Sequence, residues 1–291
     1  MTSYDTRPIG IFDSGLGGLT SVRETERVMP NENIIYFGDT GRVPYGTRSP
    51  ETITKYAFDD LNFLLCHNIK AILIACGTVS SIALEALSKS TDVPIIGVVK
   101  PASRLAVQLS TEDDVPAERR GRIAVLGTPA TARNGAYAAE IGRISHECAV
   151  LPVGCPLFVP LVENGYVGED DPISLLCAEE YIAKLKEFSP ACIILGCTHY
   201  PLLRRVIEKT ALKLLGYAPK IVDSGASAVS SLERLLSQNG LLAPEGSTGR
   251  SEFFVSDEPH GFVTTASAFL GRKIETVTRI DIDAYRVSDG R

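Results

Sequence analysis

Residues 71–84 read AILIACGTVSSIAL. Four apolar residues run into a turn at Cys76, Gly77 and Thr78, after which apolar side chains recur at helical spacing through Ile82, Leu84 and Leu87. The pattern predicts a buried strand feeding a helix. Cys76 then stands where the first N–H groups of the helix point outward and the helix dipole favours negative charge, an environment that promotes thiolate over thiol. The construction returns at residues 191–203, ACIILGCTHYPLL. Here 192–195 is the strand and Gly196, Cys197 and Thr198 form the turn. Pro201 opens a helix whose apolar face is Leu203, Val206, Ile207, Ala211 and Leu214. Two strand-Cys-Thr-helix units, far apart in the chain, could face each other across a cleft.

Working outward, residues 8–12 (PIGIF) predict a strand that delivers DSGLGGLT at 13–20. Gly15, Gly17 and Gly18 permit a tight turn, and the helix behind them presents N–H groups suited to an anion. The glycines do not spell the GxGxxG of a dinucleotide fold, and a plain strand-to-helix turn is the alternative. Asp13 bears on that choice, because a carboxylate in such a turn needs a cationic partner. Residues 33–38 predict a second strand leading to GDTGRVPYGTRS, a polar loop longer than a plain connection. In it Pro44, Tyr45 and Gly46 offer the Tyr45 and Gly46 backbone N–H groups. Further on, Thr128 follows the strand 122–127 in the position Asp13 holds earlier, Glu163 lies in a Gly/Pro-rich stretch, and 220–226 (KIVDSGA) repeats the Asp-Ser-Gly turn. Ile173, Leu176, Cys177, Tyr181 and Leu185 form one helical stripe and are read as core. Strands alternating with helices throughout predict an α/β fold with mostly parallel sheets, with the motifs at the carboxyl ends of strands.

Composition bounds the function. A chain of 291 residues that is 44% hydrophobic and 22% charged can build two domains with real cores. The net charge of −6 and the absence of a Lys/Arg stripe argue against nucleic acid as a partner. No apolar stretch approaches the roughly 18 residues of a membrane span, and the opening MTSYDTRP lacks the apolar core of a signal peptide, so no membrane association and a cytoplasmic location are expected. Seven cysteines without a CxxC pair fit a reducing compartment. His146-Glu147-Cys148 lacks the second His of a helical zinc site, so no metal is expected.

Two cysteines at strand ends, each followed by Thr or by Gly-Thr, suit a reaction that removes a proton on one face of a stereocentre and delivers one on the other. His199 and Glu163 are candidates to polarise Cys197, and Asp13 to assist Cys76. His199 could instead be a helix-start residue bonded to backbone. In a competing chemistry Cys197 is a nucleophile and His199 its base, but two residues apart on a turn is poor geometry and Cys76 is left unexplained.

The combination DSGLGGL, GDT with VPYG, AC-x-T-x-S and GCTHYPLL resembles the bacterial glutamate racemases of the aspartate/glutamate racemase superfamily, over nearly the whole chain. The resemblance implies two pseudo-symmetric α/β domains with mostly parallel sheets and the active site in the cleft between them. The first would hold residues 1–103 and 219–291 and the second 104–218. It implies racemisation of glutamate without pyridoxal or metal, D-glutamate supply for peptidoglycan, and a homodimer. Cys76 and Cys197 would be the two bases, with Cys76 acting on D-glutamate. Asp13 and Ser14 would contact the amino and carboxylate region, and Tyr45 and Gly46 beside Pro44 the side-chain carboxylate. Thr78, Thr198 and His199 would complete the site, and Thr128, from its place after its strand, is a further candidate for binding the substrate. The sequence departs from the family pattern at Gly77, where members usually carry Asn. Loss of a hydrogen bond to a charged group costs about 1.5–3 kcal/mol, so Gly77 is expected to make a backbone contact only. The alternatives are a racemase of aspartate or another amino acid, or a glutamate-binding member of low activity.

Overall fold

The computed structural model describes residues 4–286. Strands and helices alternate in the order β1 (Ile9–Asp13), α1 (Leu19–Val28), β2 (Ile34–Gly38), α2 (Pro50–Leu65), β3 (Ala71–Ile74), α3 (Gly77–Ile82), α4 (Leu84–Ser88) and β4 (Ile95–Gly97). They continue through α5 (Val99–Ser110), β5 (Arg122–Gly127), α6 (Pro129–Asn134), α7 (Ala136–Ile144), β6 (Ala149–Gly154), α8 (Phe158–Glu163), α9 (Pro172–Ala183), β7 (Cys192–Leu195) and α10 (Arg204–Leu215). The last elements are β8 (Lys220–Asp223), α11 (Ser224–Gln238), β9 (Ser251–Val255), α12 (Pro259–Leu270) and β10 (Thr278–Arg279). No helix of the described residues is long and apolar enough to cross a membrane.

The chain divides into two compact units. One holds the residues up to Gly97 and those from Ala228 onward, the other Val98–Ser227. The first is built on a six-stranded sheet ordered β10-β9-β2-β1-β3-β4, the second on a four-stranded sheet ordered β6-β5-β7-β8, and every pairing is parallel. The order β2-β1-β3-β4 therefore recurs as β6-β5-β7-β8. The units divide inside α11, later than the expected boundary at 218/219, because β8 pairs with β7, Lys220 opposite Cys192.

Central parallel strands are covered on both faces and so read as unbroken apolar runs. β1, β2 and β3 are buried at every residue, as is β7. In the first unit Phe12, Phe37, Ile72 and Ile74 pack on Leu61, Phe63 and Leu64 of α2, with the Phe37 and Phe63 rings 4.9 Å apart. Side chains of this size contribute about 1.5–3 kcal/mol each on burial. In the second, Val99, Ala102 and Ala106 of α5 pack on Ile123, Val125 and Ile194.

Register sets the level at which the chain leaves each sheet. Phe12 pairs with Ile74 and Leu126 with Leu195, so Asp13 and Cys76 follow neighbouring strand ends in the first unit, Thr128 and Cys197 in the second.

Three local expectations are corrected. The helix after Cys76 is two short segments, α3 and α4, with Ala83 between them. Pro201 lies in a 3-10 turn, Tyr200–Leu203, ahead of α10. In α9, Ile173 and Leu176 are exposed and Cys177 only partly buried, while Ser174, Ala178, Tyr181 and Ile182 face inward. Ser174 is accommodated there because its hydroxyl donates to the Tyr166 carbonyl at 2.7 Å.

Candidate functional site

The first unit gathers Asp13, Ser14, Cys76, Gly77 and Thr78 at the carboxyl ends of β1 and β3, where sites on parallel sheets form. Asp13 is buried and its Oδ2 accepts the Gly15 N–H at 3.1 Å, which closes the turn behind the strand. Tyr36, fully buried on β2, donates from Oη to the Gly15 carbonyl at 2.7 Å. Two glycines make the close approach possible. A Cβ at Gly18 would stand 2.5 Å from Asp13 Cβ, and one at Gly38 would stand 2.4 Å from the Gly15 carbonyl oxygen. Cys76 caps α3 with an extended backbone, and its Sγ lies 3.5 Å from Ser14 Oγ as donor. Gly77 is the first residue of α3, and its carbonyl accepts from Ser81 Oγ at 2.7 Å. Ser14 is thus a sulfur partner of Cys76, next in sequence to Asp13.

The loop after β2 turns at Tyr45–Thr47. This turn is closed by the Arg48 N–H on the Tyr45 carbonyl, a bond of 3.0 Å in which the Tyr45 and Gly46 amides take no part. The Tyr45 side chain is buried, with its hydroxyl donating to Asp39 and 3.2 Å from Asp60 Oδ2. Tyr45 can therefore serve a ligand through its backbone alone. Pro44 precedes the turn in an extended conformation.

The second unit holds Thr128, Glu163, Cys197, Thr198 and His199. Thr128 caps α6, its Oγ1 accepting the Thr131 N–H at 3.2 Å. The Gly196 N–H donates to the Leu126 carbonyl at 2.7 Å, which carries the β5–β7 pairing up to the cysteine. His199 Nδ1 lies 3.9 Å from Cys197 Sγ and 3.4 Å from Thr198 Oγ1, while Nε2 lies 2.9 Å from Glu163 Oε1. Glu163 reaches the ring because Phe158 seats α8 with its ring edge-on to both Tyr181 and Tyr200, centroids 5.0 and 5.1 Å away. The array is a carboxylate, an imidazole and a thiol in line. His199 also opens the 3-10 turn Tyr200–Leu203, its carbonyl accepting the Leu202 N–H at 3.1 Å, so it is a turn-start residue whose ring lies between Glu163 and Cys197.

Burial by itself would pull the His199 pKa down, but the hydrogen bonds with Cys197 and Glu163, and their charges, outweigh it and hold the pKa up at about 10. The imidazole is then a cation at neutral pH and donates from both nitrogens. A folded-state pKa above the unfolded value of about 6.5 contributes stability that is complete below that pH and is lost as pH rises toward 10. Glu163→Gln is expected to shrink that loss and to lower the His199 pKa in a 15N NMR titration. An unchanged titration would refute the charge pairing.

Sequence reasoning missed Tyr36, whose apolar strand context hides a hydroxyl tied to the Asp13 turn. It also missed Ser224, which sits in the second Asp-Ser-Gly and donates to the Leu195 carbonyl at 2.7 Å, next to the Cys197 turn.

Comparison with known proteins places these residues in context. The pattern of the family described as Asp/Glu/Hydantoin racemase matches residues 20–232. A glutamate racemase of Geobacter metallireducens is 42% identical over 280 residues, 96% of this chain and 98% of its own length. One of Chlorobaculum tepidum is 42% identical over 93% of this chain and 94% of its own. Among solved structures, the glutamate racemase of Francisella tularensis in complex with D-glutamate superimposes with a TM-score of 0.86 at 35% identity, covering 97% of this chain and all of that one.

Proposed function

The chain belongs to the Asp/Glu/Hydantoin racemase family, and from that premise we propose that it interconverts L- and D-glutamate by a two-base mechanism carried by Cys76 and Cys197. The observation that carries the reading is the repetition of one arrangement. In each unit a cysteine follows the third strand of the order 2-1-3-4, beside a polar residue that follows the first strand, Asp13 with Ser14 in one case and Thr128 in the other.

In the forward reaction one cysteine, as thiolate, takes the α-proton and becomes a thiol. The resulting carbanion then accepts a proton from the other thiol on the opposite face, leaving that sulfur as thiolate. Bonds and charge balance, and the enzyme is poised for the reverse reaction. Because the two titrations are coupled, pH profiles report the pair and neither cysteine singly. Ser14 is the hydroxyl beside Cys76. Protonated His199, oriented by Glu163, directs a donor at the sulfur of Cys197. Asp13 offers negative charge for the substrate ammonium, and the Tyr45 and Gly46 amides receive the side-chain carboxylate. Thr78, Thr128 and Thr198 hydroxyls complete the polar lining, and Gly77 contributes backbone only. The product would serve peptidoglycan synthesis in the cytoplasm, and the active form would be a homodimer.

The reading is supported by relatives named glutamate racemase across almost the full length of the chain, one of them solved with D-glutamate. Its test is circular dichroism of L-glutamate and, separately, L-aspartate incubated with the purified protein and no added cofactor. Signal loss with glutamate alone is expected. Loss with aspartate instead would reassign the substrate, and a flat trace with both would remove the proposal.

A further inference from the structure

Arg42 lies in the loop between β2 and α2. Its guanidinium is spent on three carboxylates. Nε donates to Asp39 Oδ2 at 2.6 Å, Nη1 to Asp59 Oδ2 at 2.6 Å and Nη2 to Asp60 Oδ1 at 2.9 Å. All three acids are buried, and the guanidinium is covered by the Tyr56 ring, 4.2 Å from its centroid. Three carboxylates around one cation leave an excess of negative charge that burial disfavours. Burial, followed by the charge of Asp39, raises the Asp60 pKa well above the ordinary carboxyl range. Tyr45 Oη donates to Asp39 and, at 3.2 Å, to Asp60 Oδ2, so one hydroxyl ties two of the three carboxylates to the turn. Asp39 is bound to the site as well. Its N–H donates to the Asp13 carbonyl at 3.0 Å, and its Oδ1 accepts from Ser256 Oγ at 2.7 Å.

We infer that Arg42 is a positioning residue for substrate recognition: by clamping Asp39, Asp59 and Asp60 it fixes the Tyr45–Gly46 turn relative to Asp13, and so sets where the side-chain carboxylate of the substrate is received. The inference rests on the glutamate reading above. Its geometric ground is that Tyr45 holds the turn from within through its hydroxyl, while the amides of the same turn stay outside its hydrogen bonding. A displacement of the cluster moves those amides most directly, so it is expected to act on binding of the substrate more than on the proton transfers.

The test is steady-state racemisation of D- and L-glutamate by Arg42→Lys, Asp60→Leu and Asp60→Asn, with thermal melting of each variant. Lysine keeps the charge but cannot reach three carboxylates, and leucine removes both the acceptor for Arg42 and the acceptor for Tyr45 Oη. Both are expected to raise KM at least tenfold with kcat within threefold of native. Asparagine keeps the size of the side chain and an oxygen that accepts from Arg42, and should raise KM less than threefold. If a variant merely lowered the folded fraction, kcat would fall with KM unchanged, and that result overturns the inference. Equal behaviour of Asp60→Asn and Asp60→Leu overturns it too. Should Arg42→Lys yield no folded protein, Tyr45→Phe, which deletes only the hydroxyl, decides by the same KM-against-kcat split. Failure of the glutamate reading itself is distinguishable, since the native protein would then be inactive before any variant is made.

Discussion

Cys76→Ala and Cys197→Ala are each expected to lower kcat for racemisation by about 10²–10⁴-fold, the usual contribution of one positioned acid or base. The two variants should differ in a way the loss of activity alone does not reveal. With one thiol gone, the other can still remove the α-proton of the enantiomer it faces, and the proton it returns comes from the same side. That enantiomer therefore exchanges its α-hydrogen with solvent without inverting. Cys197→Ala, which keeps Cys76, should show deuterium wash-in with D-glutamate and little with L-glutamate, and Cys76→Ala the reverse. Neither substitution opens a large cavity, since each cysteine sits at a strand end and is slightly exposed, 5% for Cys76 and 7% for Cys197. Melting temperatures close to native are the control for folding. Exchange lost from both enantiomers in each variant would mean that the two sulfurs do not act on opposite faces.

The sequence makes the strand ends legible because apolar tetrads such as AILI and CIIL, buried on both faces, stop abruptly at small turn residues. That is enough to locate Cys76, Cys197, Asp13 and Thr128 on neighbouring strand ends within their sheets. It does not fix the phase of a helix with apolar residues on several sides. In α9 the inward set is chosen by tertiary partners, a carbonyl for Ser174 and the Phe158 ring for Tyr181, so Leu176 is left outside. Nor does it say which way Tyr45 points, since its partners Asp39 and Asp60 are six and fifteen residues away. The last boundary is blurred for a similar reason: KIVD resembles an edge strand of either sheet until its pairing with β7 is known.

Lys70→Met is expected to destabilise the first unit by about 3–5 kcal/mol, the usual result of breaking a buried ion pair from one side. Lys70 and Glu32 side chains are buried to within 2% of completely, and Nζ lies 2.5 Å from Glu32 Oε2. The ammonium also donates to the Asp5 carbonyl at 2.6 Å and the Leu241 carbonyl at 2.7 Å, while Glu32 Oε1 accepts the Ala243 N–H at 2.8 Å. Methionine fills the volume but leaves a buried carboxylate and two carbonyls without their donor. At about 2–4 °C per kcal/mol for a domain of this size, the melting temperature should fall by about 6–20 °C. Adding Glu32→Gln should recover more than 1 kcal/mol, because the neutral amide keeps the bond from Ala243 and can donate to one of the freed carbonyls. The cluster stands at the amino ends of β2 and β3, with Lys70 preceding β3 directly, whereas the proposed site stands at the carboxyl ends. A strand of four or five residues separates them by about 13–17 Å. At a temperature where the variant is folded, KM and kcat should therefore match the native values. A melting temperature within 2 °C of native would show that the ion pair is not a keystone of the unit.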